Sequence, residues 1–143
     1  MNLLKYALFI IFAAFFVSLN AWTDYGHQMT ADIAQHYLSS KAKFEISKIL
    51  TETNGKMAPV STWADTIKKN PKYSFSSVLH YSNTPGTCEH DMKRDCPTLN
   101  CVVGAVSNYT NLLIQRNQHN PADVKDFLKF LIHFIGTLPF LVF

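Results

Sequence analysis

The sequence has no stretch in which apolar and polar residues alternate for any length, so nothing in it reads as a β-strand. It also has no internal repeat and no low-complexity segment, which excludes a solenoid or a disordered linker as its organising principle. Charge is scarce, at 16% of residues with a formal net charge of +3. That is too mild a balance to argue for nucleic-acid binding by electrostatics alone. Cysteine is limited to Cys88, Cys96 and Cys101. An odd number leaves one thiol without an internal partner in a secreted chain. What remains is a chain of 143 residues, 48% hydrophobic, of a size suited to one globular domain or part of one.

The apolar residues are organised at helical spacing. Met29, Ile33, Ala34, Tyr37 and Leu38 share one face of a helix expected over 28–38. Ser39 and Ser40 can cap a second helix that carries Phe44, Ile46, Ile49 and Leu50, and Asn54-Gly55 marks a turn after it. A short helix is expected over 60–69, ended by Asn70-Pro71. The stretch 72–101 reads as loops pinned by a disulfide. A helix over 102–116 presents Val103, Val106 and Leu113. Asn120-Pro121 starts a last helix with Val124, Phe127, Leu128, Leu131, Phe134 and Ile135 on its apolar side. The fold class is all-α with long irregular loops.

Residues 1–21 read as a signal peptide. Lys5 is their only charge, 6–17 is nearly all apolar, and Ala21 is the small residue that a signal peptidase needs. The competing reading is a retained anchor, for which the run is short against the ~20 residues of a bilayer span. Cleavage after Ala21 exposes Trp22 as the N-terminus and lowers the charge from +3 to +2 with the loss of Lys5. Asn108-Tyr109-Thr110 is an N-glycosylation acceptor. The apolar C-terminal run from Phe127 also invites an anchor reading, against which stand Lys129, His133 and Pro139.

Histidine, aspartate and cysteine thiolate are the zinc-binding types here, and in an oxidising compartment disulfides claim the cysteines. His27, Asp65, His80 and His133 are the candidates, with Trp22. Each has an ordinary explanation taken singly. His27 sits near a helix start, Asp65 reads as a solvated helix residue, His80 can bond a loop carbonyl, and His133 lies in an apolar run where a satisfied core histidine is the usual answer. Their contexts are more specific in combination. Trp22-Thr23-Asp24-Tyr25-Gly26-His27 is followed by Ser61-Thr62-Trp63-Ala64-Asp65-Thr66-Ile67-Lys68. Then come Leu79-His80-Tyr81-Ser82-Asn83-Thr84-Pro85 and Phe130-Leu131-Ile132-His133-Phe134-Ile135-Gly136.

In this order and with these flanks the chain resembles the zinc-dependent single-strand-specific nucleases of the mung-bean type, which share a superfamily with zinc-dependent phospholipases C. The resemblance runs from Trp22 to Gly136. It implies an all-α, helical, trinuclear-zinc domain, of which 22–136 is the N-terminal part and 137–143 a divergent apolar tail. It implies an endonuclease that hydrolyses phosphodiester bonds of single-stranded DNA and RNA in a secreted or lumenal compartment, the lysosome included. It assigns zinc to the amine and carbonyl of Trp22 with His27, and a second ion to Asp65, His80 and His133. Lys68 is implied to face the phosphate, and Tyr81 to stack on a nucleobase. Cys96 and Cys101 are implied to pair, with Cys88 looking for a partner further on. The resemblance breaks after Gly136. Where such enzymes carry a bridging aspartate this chain has Thr137, so the expectation is at most one or two zinc ions and little cleavage. The alternatives are a non-catalytic relic and, less well matched, a phospholipase C.

Overall fold

The computed structural model describes residues 24–82 and 90–138. The expected signal peptide, Trp22, Cys88 and Pro139 with the rest of the tail lie outside them. The described residues form six α-helices and no strand, in agreement with the all-α reading. The helices are α1 (Asp24–Tyr37), α2 (Ser40–Ile49), α3 (Trp63–Ile67), α4 (Met92–Asp95), α5 (Val102–Ile114) and α6 (Pro121–Thr137), with short 3-10 turns between several of them.

Local chemistry accounts for most boundaries. The Ser39 hydroxyl accepts from the Ala42 amide and caps α2. Asn54 and Gly55 both take left-handed backbone (φ 52° and 78°), which makes the turn that brings the chain back toward α1. There the Gln35 side chain donates to the Gly55 carbonyl and accepts from the Met57 amide. Asn120 caps α6 through the Asp123 amide, and Pro121 fills its first turn.

Two expected element boundaries are corrected. The segment 72–101 is not all loop, because Pro71–His80 winds as a ten-residue 3-10 helix. Such runs are uncommon at this length. Asn70 caps this one, and the Ser74 and Ser76 hydroxyls donate to carbonyls three residues back. Tyr73 also ties it to α6 through Asp126, at 2.6 Å. The expected helix over 60–69 is broken into a 3-10 turn at Ala58–Val60 and α3. A continuous helix would offer the Ser61 carbonyl to the Asp65 amide, but that carbonyl accepts from His133 instead, and Asp65 bonds to Thr62.

Helix α6 is the centre of the packing. Leu128 and Ile132 join Ala31, Leu50, Met57 and Val60 in one apolar cluster. Phe130 and Phe134 join Ala64, Val102, Ala105 and Tyr109 in the other. The Tyr109 and Phe130 rings stack at 4.9 Å, and Trp63 meets Phe130 edge-on at 5.0 Å. The face of α1 turned inward is not the one its aliphatic residues suggested. His27 and Ala31 are buried, with Ala34 and Leu38 beside them, while Met29, Ile33 and Tyr37 stay exposed. Helix α1 carries apolar residues on both sides, so periodicity alone could not choose. The docking of His27 against α6 does.

Candidate metal centre

Three elements converge at the His133 level of α6. Helix α3 brings Asp65, the end of the 3-10 run brings His80, and α1 brings His27. The His27 ring stacks on His133 with centroids 4.1 Å apart, and His80 approaches His133 at 4.8 Å. Asp65 sits between two of the rings. Its Oδ1 is 3.5 Å from His80 Nε2, and its Oδ2 is 3.8 Å from His133 Nε2. Ligand atoms of His27, Asp65 and His133 all lie within 4.8 Å of one another, as holding one metal ion requires. This grouping places His27 with Asp65 and His133, and His80 approaches the other oxygen of the same carboxylate.

Backbone carbonyls orient two of the rings. His133 Nδ1 is 2.8 Å from the Ser61 carbonyl, and His80 Nδ1 is 2.8 Å from the Ser76 carbonyl. A carbonyl only accepts, so Nδ1 carries the proton in both, and Nε2 is left with its lone pair toward Asp65. This is the orienting arrangement usual behind metal-bound histidines. The carbonyls of Ser61 and Ser76 are parts of the site that side-chain motifs do not reveal.

Burial keeps the imidazoles neutral. It lowers the pKa of His27 and of His80, and it takes His133 down to about 4 with help from the nearby His27. Neutral imidazole is the form that binds a metal. Burial also opposes ionisation of Asp65, but the hydrogen bond from Lys68 and the charge of its ammonium outweigh it and hold its carboxyl below the usual range. Lys68 Nζ lies 2.7 Å from Asp65 Oδ1. The donor set, its protonation and its supporting carbonyls fit a divalent, zinc-like ion.

Gly136 closes the site from α6. A Cβ there would stand 2.6 Å from His27 Nδ1, so only glycine lets the His27 ring lie against the helix in this position. One turn after His133, the Thr137 hydroxyl donates to the His133 carbonyl at 3.2 Å and adds no negative charge. Tyr81 follows His80 in extended backbone, with its ring exposed and its carbonyl bonded to the Val102 amide. Cys96 and Cys101 are joined by a disulfide, and Asn108 is exposed on α5. No helix among the described residues is long and apolar enough to cross a membrane.

The sequence profile of the S1/P1 nuclease family matches residues 22–138. Endonuclease 3 of Arabidopsis thaliana is 37% identical over 123 residues, which are 82% of this chain and 42% of that protein. Nuclease S1 of Aspergillus oryzae is 34% identical over 122 residues, 82% of this chain and 42% of its own length. Nuclease P1 of Penicillium citrinum is 32% identical over 124 residues, 82% and 45%. The chain thus spans less than half the length of these relatives. The profile match takes in all four stretches that converge on the histidine–aspartate cluster, and the chain belongs to the S1/P1 nuclease family.

Proposed function

We propose that the protein is a zinc-dependent endonuclease that hydrolyses phosphodiester bonds of single-stranded DNA and RNA. The observation that carries the reading is Asp65 set between two buried, neutral histidines whose Nε2 atoms backbone carbonyls turn toward it. Asp65, His80 and His133, with His27 stacked alongside, would hold zinc. Bound there, zinc supplies Lewis acidity toward a phosphoryl oxygen and makes a water acidic enough to attack at neutral pH. Lys68 brings a cation to the rim of the same cluster, where it can meet a phosphate. Lysine does so as a point charge, without the fork of arginine. Tyr81 offers an exposed ring beside His80 for a base to stack on, a contact that tolerates any base.

Residues 1–21 would direct the chain into the secretory route, and their removal would free the Trp22 amine as a further ligand beside His27. Nothing in the fold points to the lysosome within that route. N-terminal sequencing of secreted protein tests this, and a start other than Trp22 excludes the amine as a ligand. A second reading, a chain that binds metal and cleaves little, is favoured by the neutral hydroxyl of Thr137 one turn after His133. Adjacent divalent ions repel strongly unless an anion lies between them.

One experiment separates these readings. Secreted protein is assayed for bound zinc and for cleavage of single-stranded DNA and of phosphatidylcholine, with and without chelator, beside His80→Ala. Chelator-sensitive DNA cleavage that His80→Ala abolishes supports the nuclease. Bound zinc without cleavage supports the second reading. Turnover of phosphatidylcholine in place of DNA refutes both.

A further inference from the structure

The formal charge of the chain is too small to mark a polyanion site by composition, but the fold gathers it at one corner. A groove of about 450 Å³ lies between the end of α2, the turn that follows it, and the connection from α5 to α6. Lys48, Arg116 and Lys125 line it, and no acidic side chain among the described residues does. Their side chains are 52%, 42% and 33% exposed. Two carboxylates that are not part of the lining hold them. Glu45 pairs with Lys48 at 2.7 Å and with Arg116 at 3.6 Å. Glu52 pairs with Lys125 at 3.0 Å and with Lys129 at 2.9 Å. Asp123, in the first turn of α6, is engaged by the Asn120 amide. Four cations thus share two carboxylates, an excess of two positive charges. That equals the whole formal charge left to the chain, +2, once Lys5 is removed from the +3 with residues 1–21.

The remaining lining is mixed. Pro121 gives an exposed apolar wall, and His119 has a buried Nε2 without a hydrogen-bond partner among the described residues. An unmet polar atom of this kind is uncommon and points to a missing partner. The volume is in the ~300–1,000 Å³ range of small-ligand sites. Exposed ion pairs are weak, so a phosphate oxygen can replace a carboxylate oxygen on the same ammonium or guanidinium. The place also suits a strand that reaches the metal centre. Lys125, Lys129 and His133 follow one another at four-residue steps on α6, so they share a side of the helix. Lys125 precedes His133 by two turns, about 12 Å along the axis.

We propose that this groove is a second binding site for single-stranded nucleic acid, which takes backbone phosphates on Lys48, Arg116 and Lys125 and a sugar against Pro121. The inference deepens the nuclease reading and rests on it. The strand would be held here by charge alone, without regard to base, while another part of it meets the metal centre.

The test measures binding of a labelled, cleavage-resistant phosphorothioate single strand to the full secreted protein loaded with zinc, by fluorescence anisotropy over a range of salt. Lys48→Gln with Arg116→Gln removes two phosphate partners. The plot of log affinity against log salt should become shallower by about 1.4, so a roughly fourfold rise in salt costs the parent about sevenfold more affinity than the variant. Glu45→Gln frees the same two cations and should tighten binding about two- to fivefold, a gain that damage to the fold would not produce. Zinc affinity should be equal in all three proteins. Cooperative unfolding shows that a variant is folded, and a double variant that loses it is replaced by Arg116→Gln alone, with an expected slope change of about 0.7. Slopes and affinities equal to the parent's overturn the groove and leave the nuclease reading intact. A parent that binds no single strand overturns both. Losses seen only with phosphatidylglycerol vesicles, with strand binding unchanged, also overturn the proposal, since the groove would then serve a lipid surface.

Discussion

Lys68→Met has opposite expected effects on metal binding and on substrate. The Lys68 ammonium lies 2.7 Å from Asp65 Oδ1, the oxygen that faces His80 Nε2. A metal ion held by Asp65 must share or displace that ion pair, and it gains a cationic neighbour. The pair is partly solvated, with side chains 24% and 39% exposed, so its net worth is in the surface range of ~0.2–1 kcal/mol. Removing the ammonium while keeping a similar aliphatic stem should tighten zinc binding by that amount or somewhat more, roughly two- to tenfold. Asp65 loses its main hydrogen-bond donor but remains ionised at neutral pH, so the ligand is not lost. Binding of a single-stranded oligonucleotide should weaken in the same variant, since the cation at the rim is gone. Calorimetric titration with zinc, with Asp65→Asn as the control that loses the metal, measures the first effect. Fluorescence anisotropy with a labelled oligonucleotide measures the second. Weaker zinc binding in Lys68→Met would refute the argument, because it would mean that Lys68 positions Asp65 for the metal instead of competing with it.

The remaining predictions test how the fold builds this centre. Gly136→Ala raises intrinsic helix propensity by up to ~1 kcal/mol, yet it should lower zinc affinity, because the added Cβ displaces the His27 ring; titration beside urea unfolding separates the two effects. Phe130→Ala should cost ~3–5 kcal/mol, since its buried ring touches Trp63, Tyr73, Tyr109 and Phe134, and Phe130→Leu much less; a Phe130→Ala loss under 1 kcal/mol in urea unfolding would contradict the packing account. Replacing Cys96 and Cys101 together by serine should cost ~2 kcal/mol, the loop-entropy value for so short a closure, with little change in helix content by circular dichroism.

The helical class, the turn at Asn54-Gly55 and the starts of α2 and α6 could be read directly from residue order. Each depends on interactions within a few residues: a serine or asparagine cap, a proline in the first turn, a left-handed asparagine–glycine pair. His27, Asp65, His80 and His133 could be singled out as candidates for a different reason. Metal chemistry admits few residue types, and their flanks follow the family's pattern. Residue order did not reveal the inward face of α1, the break at Ser61 or the long 3-10 run before His80. Those depend on partners far along the chain. His133 draws off the Ser61 carbonyl across 72 residues, and Asp126 holds Tyr73 across 53. Tertiary packing likewise decided which atoms can meet a metal. His27 reaches the site because Gly136 leaves room for its ring, and Nε2 of His80 and His133 faces Asp65 because backbone carbonyls hold their other nitrogens. A side-chain pattern can name candidate ligands, but their protonation and aim are set by burial and by backbone atoms that are the same in every residue.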